Sequence, residues 1–337
     1  MRNLLTNTII SLLSLLLILL VCEGGIRVLQ HNEILPVFSK KQIDKGDTAN
    51  KNVNAKLVKS KNPVLFMEFD RNDPNINKEG FRGADFPAQK TPGTLRIAIL
   101  GDSVAYGYSV PLEQTFARLL EQQLNTDGHK VEVLNFAVNG YSTIAELELY
   151  KTRVHEYQPD IVLLAYVLND PLPAAFVVQS VGSARKQADY FKQLSHYSQL
   201  GAWIYLRWQT LLQPFDRQRN YEGMYSNQES WKATESAIAA LQQQTALDNA
   251  KLAAVIFPLL LDFNKYPMGE IHKQIGTSFQ SMHIPYIDLL QDFSAIPYME
   301  LRPHPNDDTH PNATGHAIAA KRITRFIEEN LLMDKSP

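Results

Sequence analysis

The sequence predicts an α/β fold: a parallel sheet covered by helices on both faces. Three observations carry this. Short apolar runs such as "RIAIL" (96–100) and "DIVLLAYV" (160–167) have the unbroken hydrophobicity of strands buried on both sides. Between such runs the apolar residues recur at helical spacing, so strand and helix alternate from Arg96 onward. The polar residues able to do chemistry gather just after the strands, where open parallel sheets bind their ligands.

Ahead of that rhythm stands an almost uncharged run from Leu4 to Cys22, "LLTNTIISLLSLLLILLVC", preceded by Arg2. A helix crosses a bilayer in about 20 residues, with 17–25 usual, so residues 1–22 are expected to form a signal anchor with its N-terminus in the cytoplasm. A cleaved signal peptide is the competing reading, but the run lacks a convincing small-x-small cleavage site. Either reading exports the remainder, toward the periplasm or another extracytoplasmic space. Residues 23–94 read as a stalk and strap, Lys-rich at 40–60, with turn signals in "NKEGFRG" (77–83) and "PAQKTPG" (87–93).

The main domain is expected over 95–333. "RIAIL" is its first strand, and Phe116, Leu119, Leu120 and Leu124 mark the helix that follows. "VEVLNF" (131–136) is the second strand. Thr143 and Glu146 have the spacing of a capping box for a helix with Ile144, Leu147, Tyr150 and Val154 on its apolar face. The third strand is 160–167, the fourth "LAAVIFP" (252–258) and the fifth "IPYIDLL" (284–290), and a last helix carries Ile323, Phe326, Ile327 and Leu331. Residues 171–249 interrupt the alternation as a helical insertion. It is rich in aromatic residues (Tyr190, Phe191, Tyr197, Trp203, Tyr205, Trp208), which either pack on the core or line a binding face near Asn169.

Composition narrows the function. A net charge of −2 gives no basic excess for a nucleic-acid partner. The single cysteine, Cys22, excludes an intramolecular disulfide and any multi-cysteine metal site. His304, His310 and His316 are six apart, which is not the paired spacing of zinc ligands.

The strand ends offer a different chemistry. Gly101-Asp102-Ser103 follows the first strand, Asn139-Gly140 the second, Asn169-Asp170 the third, and "HPNDDTHPNATGH" (304–316) lies past the fifth. A serine hydroxyl becomes a nucleophile when a carboxylate-oriented histidine takes its proton. Asp307 lies three residues before His310, about one helical turn, and can reach its imidazole; Asp308 competes for the same task. The N–H groups of Ser103 and Gly140 and the amide of Asn169 are candidate donors to a developing oxyanion. Asp102 and Asp170 read as structural, bonding nearby main-chain N–H groups. Ala105 breaks the G-x-S-x-G pattern, which removes the nucleophile elbow of the α/β-hydrolases.

"GDSV", "NGYST", "ND" and "DDTHPNATGH", in this order and each after a strand, resemble the SGNH (GDSL-type) hydrolase superfamily over about residues 96–333. The resemblance implies a three-layer α/β/α fold of flavodoxin-like type. It also implies Ser103 as nucleophile, Asp307 and His310 completing a triad, and Gly140 and Asn169 in the oxyanion hole, with no metal or organic cofactor. "GFRG" and the exported N-terminus look like bacterial members linked to surface polysaccharides. Two positions depart from the family's pattern: Ala137 and Val167 stand where glycine is usual, at the floor of the pocket. The expected activity is therefore an exported serine esterase removing O-acyl, chiefly O-acetyl, groups from a glycan. A lipase or lysophospholipase, a glycan O-acyltransferase and a catalytically silent glycan-binding protein remain as alternatives.

Overall fold

A computed structural model of the chain describes residues 2–31, 54–126, 130–172, 197–201, 203–204, 220–305 and 307–332. The chain divides into two compact units, Met1–Asn50 with Gln179–Arg217, and Lys51–Val178 with Gln218–Pro337.

The first unit contains helix α1 (Arg2–His31). Its stretch Thr6–Leu29 has a mean hydropathy of 2.5 and none of it is buried, so it is long and apolar enough to cross a membrane. Beyond the apolar run, Glu23 accepts hydrogen bonds from Ser198 Oγ (2.9 Å) and from the N–H groups of Gln199 (3.0 Å) and Leu200 (2.8 Å). Part of the insertion is thus tied to α1. The aromatic positions 190, 191, 205 and 208 lie outside the described residues.

The second unit is the α/β fold. Strands β3 (Leu95–Gly101), β4 (Val131–Asn135), β5 (Ile161–Val167), β6 (Lys251–Phe257) and β7 (Tyr286–Asp288) form one parallel sheet in the order β4-β3-β5-β6-β7. Every residue of β5 is buried, as the apolar run at its centre requires. The connections run from β3 to its neighbour β4 on one side, and from β4 past β3 to β5 on the other. They place helix α3 (Phe116–Thr126) with the last helix, α8 (Ala313–Ile327), in one layer, and α4 (Thr143–Thr152) with α5 (Gln228–Leu247) in the other. The chain reverses its winding between β3 and β5, and in such sheets the crevice beyond the strand ends at that point is the ligand site.

Within the segment expected as stalk and strap, strands β1 (Leu57–Lys59) and β2 (Met67–Phe69) pair, and Ala55, Leu65, Phe69, Ile76 and Phe81 join the same hydrophobic core as the sheet. One sequence expectation changes here: there is no capping box at α4. Ser142 occupies the N-cap without a side-chain bond to the helix, and Glu146 turns inward, fully buried, beside Ala145, Leu149 and Tyr150. The buried face is thus rotated away from Ile144 and Leu147, which stay half-exposed. A box needs its serine or threonine at the N-cap; here Thr143 is already the first helical residue.

Candidate active site

β3 runs straight into helix α2 (Ser103–Tyr106), so Ser103 opens a helix at the end of a central strand. Asp102 is the N-cap and accepts from the Val104 N–H at 2.8 Å, which fixes the turn that presents the hydroxyl. Ser103 itself is half-exposed among buried neighbours.

His310 reaches Ser103 from the far end of the chain. Its Nε2 is 2.8 Å from Ser103 Oγ, and its Nδ1 lies 2.9 Å and 3.0 Å from the two carboxylate oxygens of Asp307. Asp307 Oδ1 also accepts from the N–H groups of His310 (3.0 Å) and Thr309 (3.2 Å). Partial burial works to raise the Asp307 carboxyl, but the bonds and charge of His310 outweigh it and hold the group below its ordinary range. Asp307 therefore stays ionised and keeps the imidazole proton on Nδ1, leaving Nε2 to accept from the serine. Of the two candidate acids, Asp307 holds the ring; the Asp308 carbonyl instead accepts from the Leu260 N–H at 2.7 Å.

The other strand-end residues converge on the same turn. Asn169, just past β5, donates through Nδ2 to Asp102 Oδ2 at 3.1 Å, which orients its amide nitrogen toward the Ser103 turn. The loop after β4 is fastened to it as well. The Val138 N–H donates to the Gly101 carbonyl (3.1 Å), and Asn135 Nδ2 donates to the Ala105 carbonyl (2.7 Å). Gly140 lies in this loop with φ at +81°, a conformation that disfavours any side chain. Ala137, in this loop, and Val167, the last residue of β5, are the two positions unlike the family pattern, and both are buried.

Three carboxyls are buried behind the site. Asp102 and Asp170 each accept a main-chain N–H, Asp170 from Val167 at 2.7 Å, as expected of structural residues. Glu146, expected in a capping box, is the third: it is fully buried and neither carboxylate oxygen has a hydrogen-bond partner among the described residues. Burial first, and then the charges of Asp170 and Asp102, push it well above the usual carboxylate range.

Tyr108, five residues after Ser103, was also missed. Its ring centroid is 4.5 Å from that of His310 at an interplanar angle of 36°. His316 is not near-surface chemistry: it is fully buried, and its Nδ1 accepts from the Phe116 N–H at 3.1 Å.

The model of the GDSL-like lipase/acylhydrolase family matches residues 99–318. An arylesterase from Vibrio mimicus is 32% identical over 77 residues, 23% of this chain, and the match spans 38% of that relative. Among solved structures, the psychrotrophic esterase EstA from Pseudoalteromonas sp. is similar with a TM-score of 0.45 and 15% identity, over 69% of this chain and 97% of the other. A catalytic mutant of Axe2, an acetylxylan esterase from Geobacillus stearothermophilus, is similar with a TM-score of 0.46 and 14% identity, over 69% and 94%.

Proposed function

The chain belongs to the GDSL-like lipase/acylhydrolase family and is a carboxylic ester hydrolase; from that premise we propose that it is a membrane-anchored, extracytoplasmic serine esterase acting on O-acylated, chiefly O-acetylated, glycan. The observation that carries the chemistry is the unbroken hydrogen-bonded line Ser103–His310–Asp307 at a strand end.

In this proposal Ser103 Oγ attacks the ester carbonyl while His310 Nε2 takes its proton, and Asp307 stabilises the imidazolium that forms. The tetrahedral oxyanion is received by the N–H groups of Ser103 and Gly140 and by Asn169 Nδ2, donors already fixed by the turn around Asp102. Collapse breaks the ester C–O bond, and the sugar alkoxide leaves with the proton from His310. Water, activated by the same histidine, then releases the acyl group from Ser103.

Anchoring is supported by the length and hydropathy of Thr6–Leu29 in α1, none of which is buried. The glycan class is supported by "GFRG" and the apolar N-terminal run, which together resemble polysaccharide-associated members. Acetate release from an O-acetylated polysaccharide tests it, with aryl acetate and long-chain acyl esters run beside it. Release by the wild type and none by Ser103→Ala is expected. Turnover that rises with acyl length and spares the polysaccharide would make the protein a lipase, and acyl delivery to added sugar in preference to water would make it a transferase.

A further inference from the structure

We propose that Arg82, contributed by the strap outside the matched family region, is a positioning residue for His310: it fixes the turn at 107–110 so that Tyr108 lies against the imidazole. This rests on the esterase reading of Ser103 and His310.

The turn is one the chain would not keep unaided. α2 stops after four residues at Gly107, whose φ of +82° makes a left-handed cap and whose Cβ, if present, would stand 2.4 Å from Thr115. Two residues on, Ser109 also has a positive φ, +66°, without being glycine. Such a residue persists where its surroundings over-determine it. The strap supplies those surroundings. The Arg82 guanidinium is buried and donates to the main-chain carbonyls of Tyr106 (3.0 Å), Gly107 (2.7 Å) and Val110 (2.6 Å). It also stacks 4.8 Å from the Tyr106 ring centroid. Asn54 Oδ1 accepts the Ser109 N–H at 3.2 Å, and Tyr106 Oη accepts the Ala55 N–H at 2.9 Å.

Between these fastenings stands Tyr108, whose N–H returns to the Ser103 carbonyl at 3.0 Å and whose ring covers His310. One guanidinium bridging carbonyls on both sides of Tyr108 therefore sets where the ring sits, and the ring limits how far the imidazole can swing from Ser103 Oγ. A planar five-donor fork can span those carbonyls; an ammonium cannot.

The test measures kcat and KM on an aryl acetate, with Tm, for Arg82→Met, Arg82→Lys, Tyr108→Ala, Tyr108→Phe and the double variant Arg82→Met/Tyr108→Ala. Loss of either group is expected to lower kcat roughly 10- to 100-fold, with KM changed less than about two-fold, because a small misplacement of a catalytic group has that effect. Tyr108→Phe keeps the ring and should lose far less kcat than Tyr108→Ala. The double variant should be no slower than the slower single one, since both act on the same imidazole. Wild-type kcat in Tyr108→Ala, or losses that multiply in the double variant, would overturn the proposal. Should Arg82→Met not fold, Arg82→Lys and the Tyr108 pair decide it. Nitrogen-15 NMR of the His310 ring in the same proteins needs no turnover. An altered ring signal in Arg82→Lys and Tyr108→Ala is expected, and an unchanged one overturns the positioning role even if the wild type proves inactive on esters, a result that would by itself defeat only the esterase reading.

Discussion

His310 and His272 are each gripped by an aspartate, and what differs is the group on the other side of the ring. His310 has Asp307 on Nδ1 and the Ser103 hydroxyl on Nε2. His272 has Asp288 on Nδ1, with both oxygens at 2.9 Å, and the Tyr266 hydroxyl on Nε2 at 3.1 Å. In the second case the hydroxyl is already used: Tyr266 also accepts the Leu259 N–H at 3.0 Å, and burial pushes its phenol far up, so it keeps its proton. His272 is 3% exposed and its partners are all satisfied. The histidine–aspartate bond alone is thus a structural staple. It becomes a candidate for chemistry where its third partner stands at an open strand end beside the Asn169 amide and the Gly140 loop.

The closed staple still serves the open one at a distance. It fixes the Leu259–Leu261 loop, whose Leu260 N–H bonds the Asp308 carbonyl at 2.7 Å and whose Leu260 carbonyl accepts from Arg302 Nη2 at 2.6 Å. Those contacts hold the segment that delivers Asp307 and His310. Replacing the two histidines separately breaks the comparison most sharply. His310→Ala should lower kcat by at least about 10³-fold with little change in Tm. His272→Ala should leave kcat within a few-fold and reduce stability by about 1–3 kcal/mol, the cost of stranding buried partners, read as a lower Tm. Equal losses of activity in the two variants would erase the distinction.

A smaller effect separates the open site's donors from its proton carrier. Asn169→Ala should lower kcat by roughly 10²–10³-fold with KM nearly unchanged, as loss of one oxyanion donor does. A raised KM at constant kcat would make Asn169 a substrate-binding residue.

The smallest effect concerns Glu146 behind the site. Its folded carboxyl is raised well above the unfolded value of 4.5, so its contribution to stability is fully present below that pH and is lost as pH rises above it. Glu146→Gln, which copies the neutral acid, should therefore be close to wild type near pH 4 and gain Tm over it progressively toward pH 8. A Tm difference that does not vary with pH would mean that Glu146 is ionised in the fold.

Much of the fold was legible because buried parallel strands need apolar runs, and 97–100, 161–167 and 252–257 supply them without interruption. The candidate site was legible because its members sit at strand ends, where the topology brings Ser103 and His310 together across 207 residues. What escaped has a common cause. Arg82 acts on main-chain carbonyls, which leave no residue-type signature, and Tyr108 acts by ring contact. Glu146 was misplaced because T-x-x-E spacing looks the same whether Thr143 is the N-cap or the first helical residue. The packing of the strap left no mark in the sequence because its core residues, Leu65, Phe69, Ile76 and Phe81, follow no period.

The central claim, that Ser103 is the nucleophile of the open pair, is tested most directly by locating a covalent adduct. The full-length protein would be treated with a fluorophosphonate and its peptides mapped by mass spectrometry. A single adduct on Ser103 is expected, retained in His272→Ala, strongly slowed in His310→Ala and absent from Ser103→Ala. Labelling that persists in Ser103→Ala, or that maps to Tyr266 or any other hydroxyl, would contradict the account.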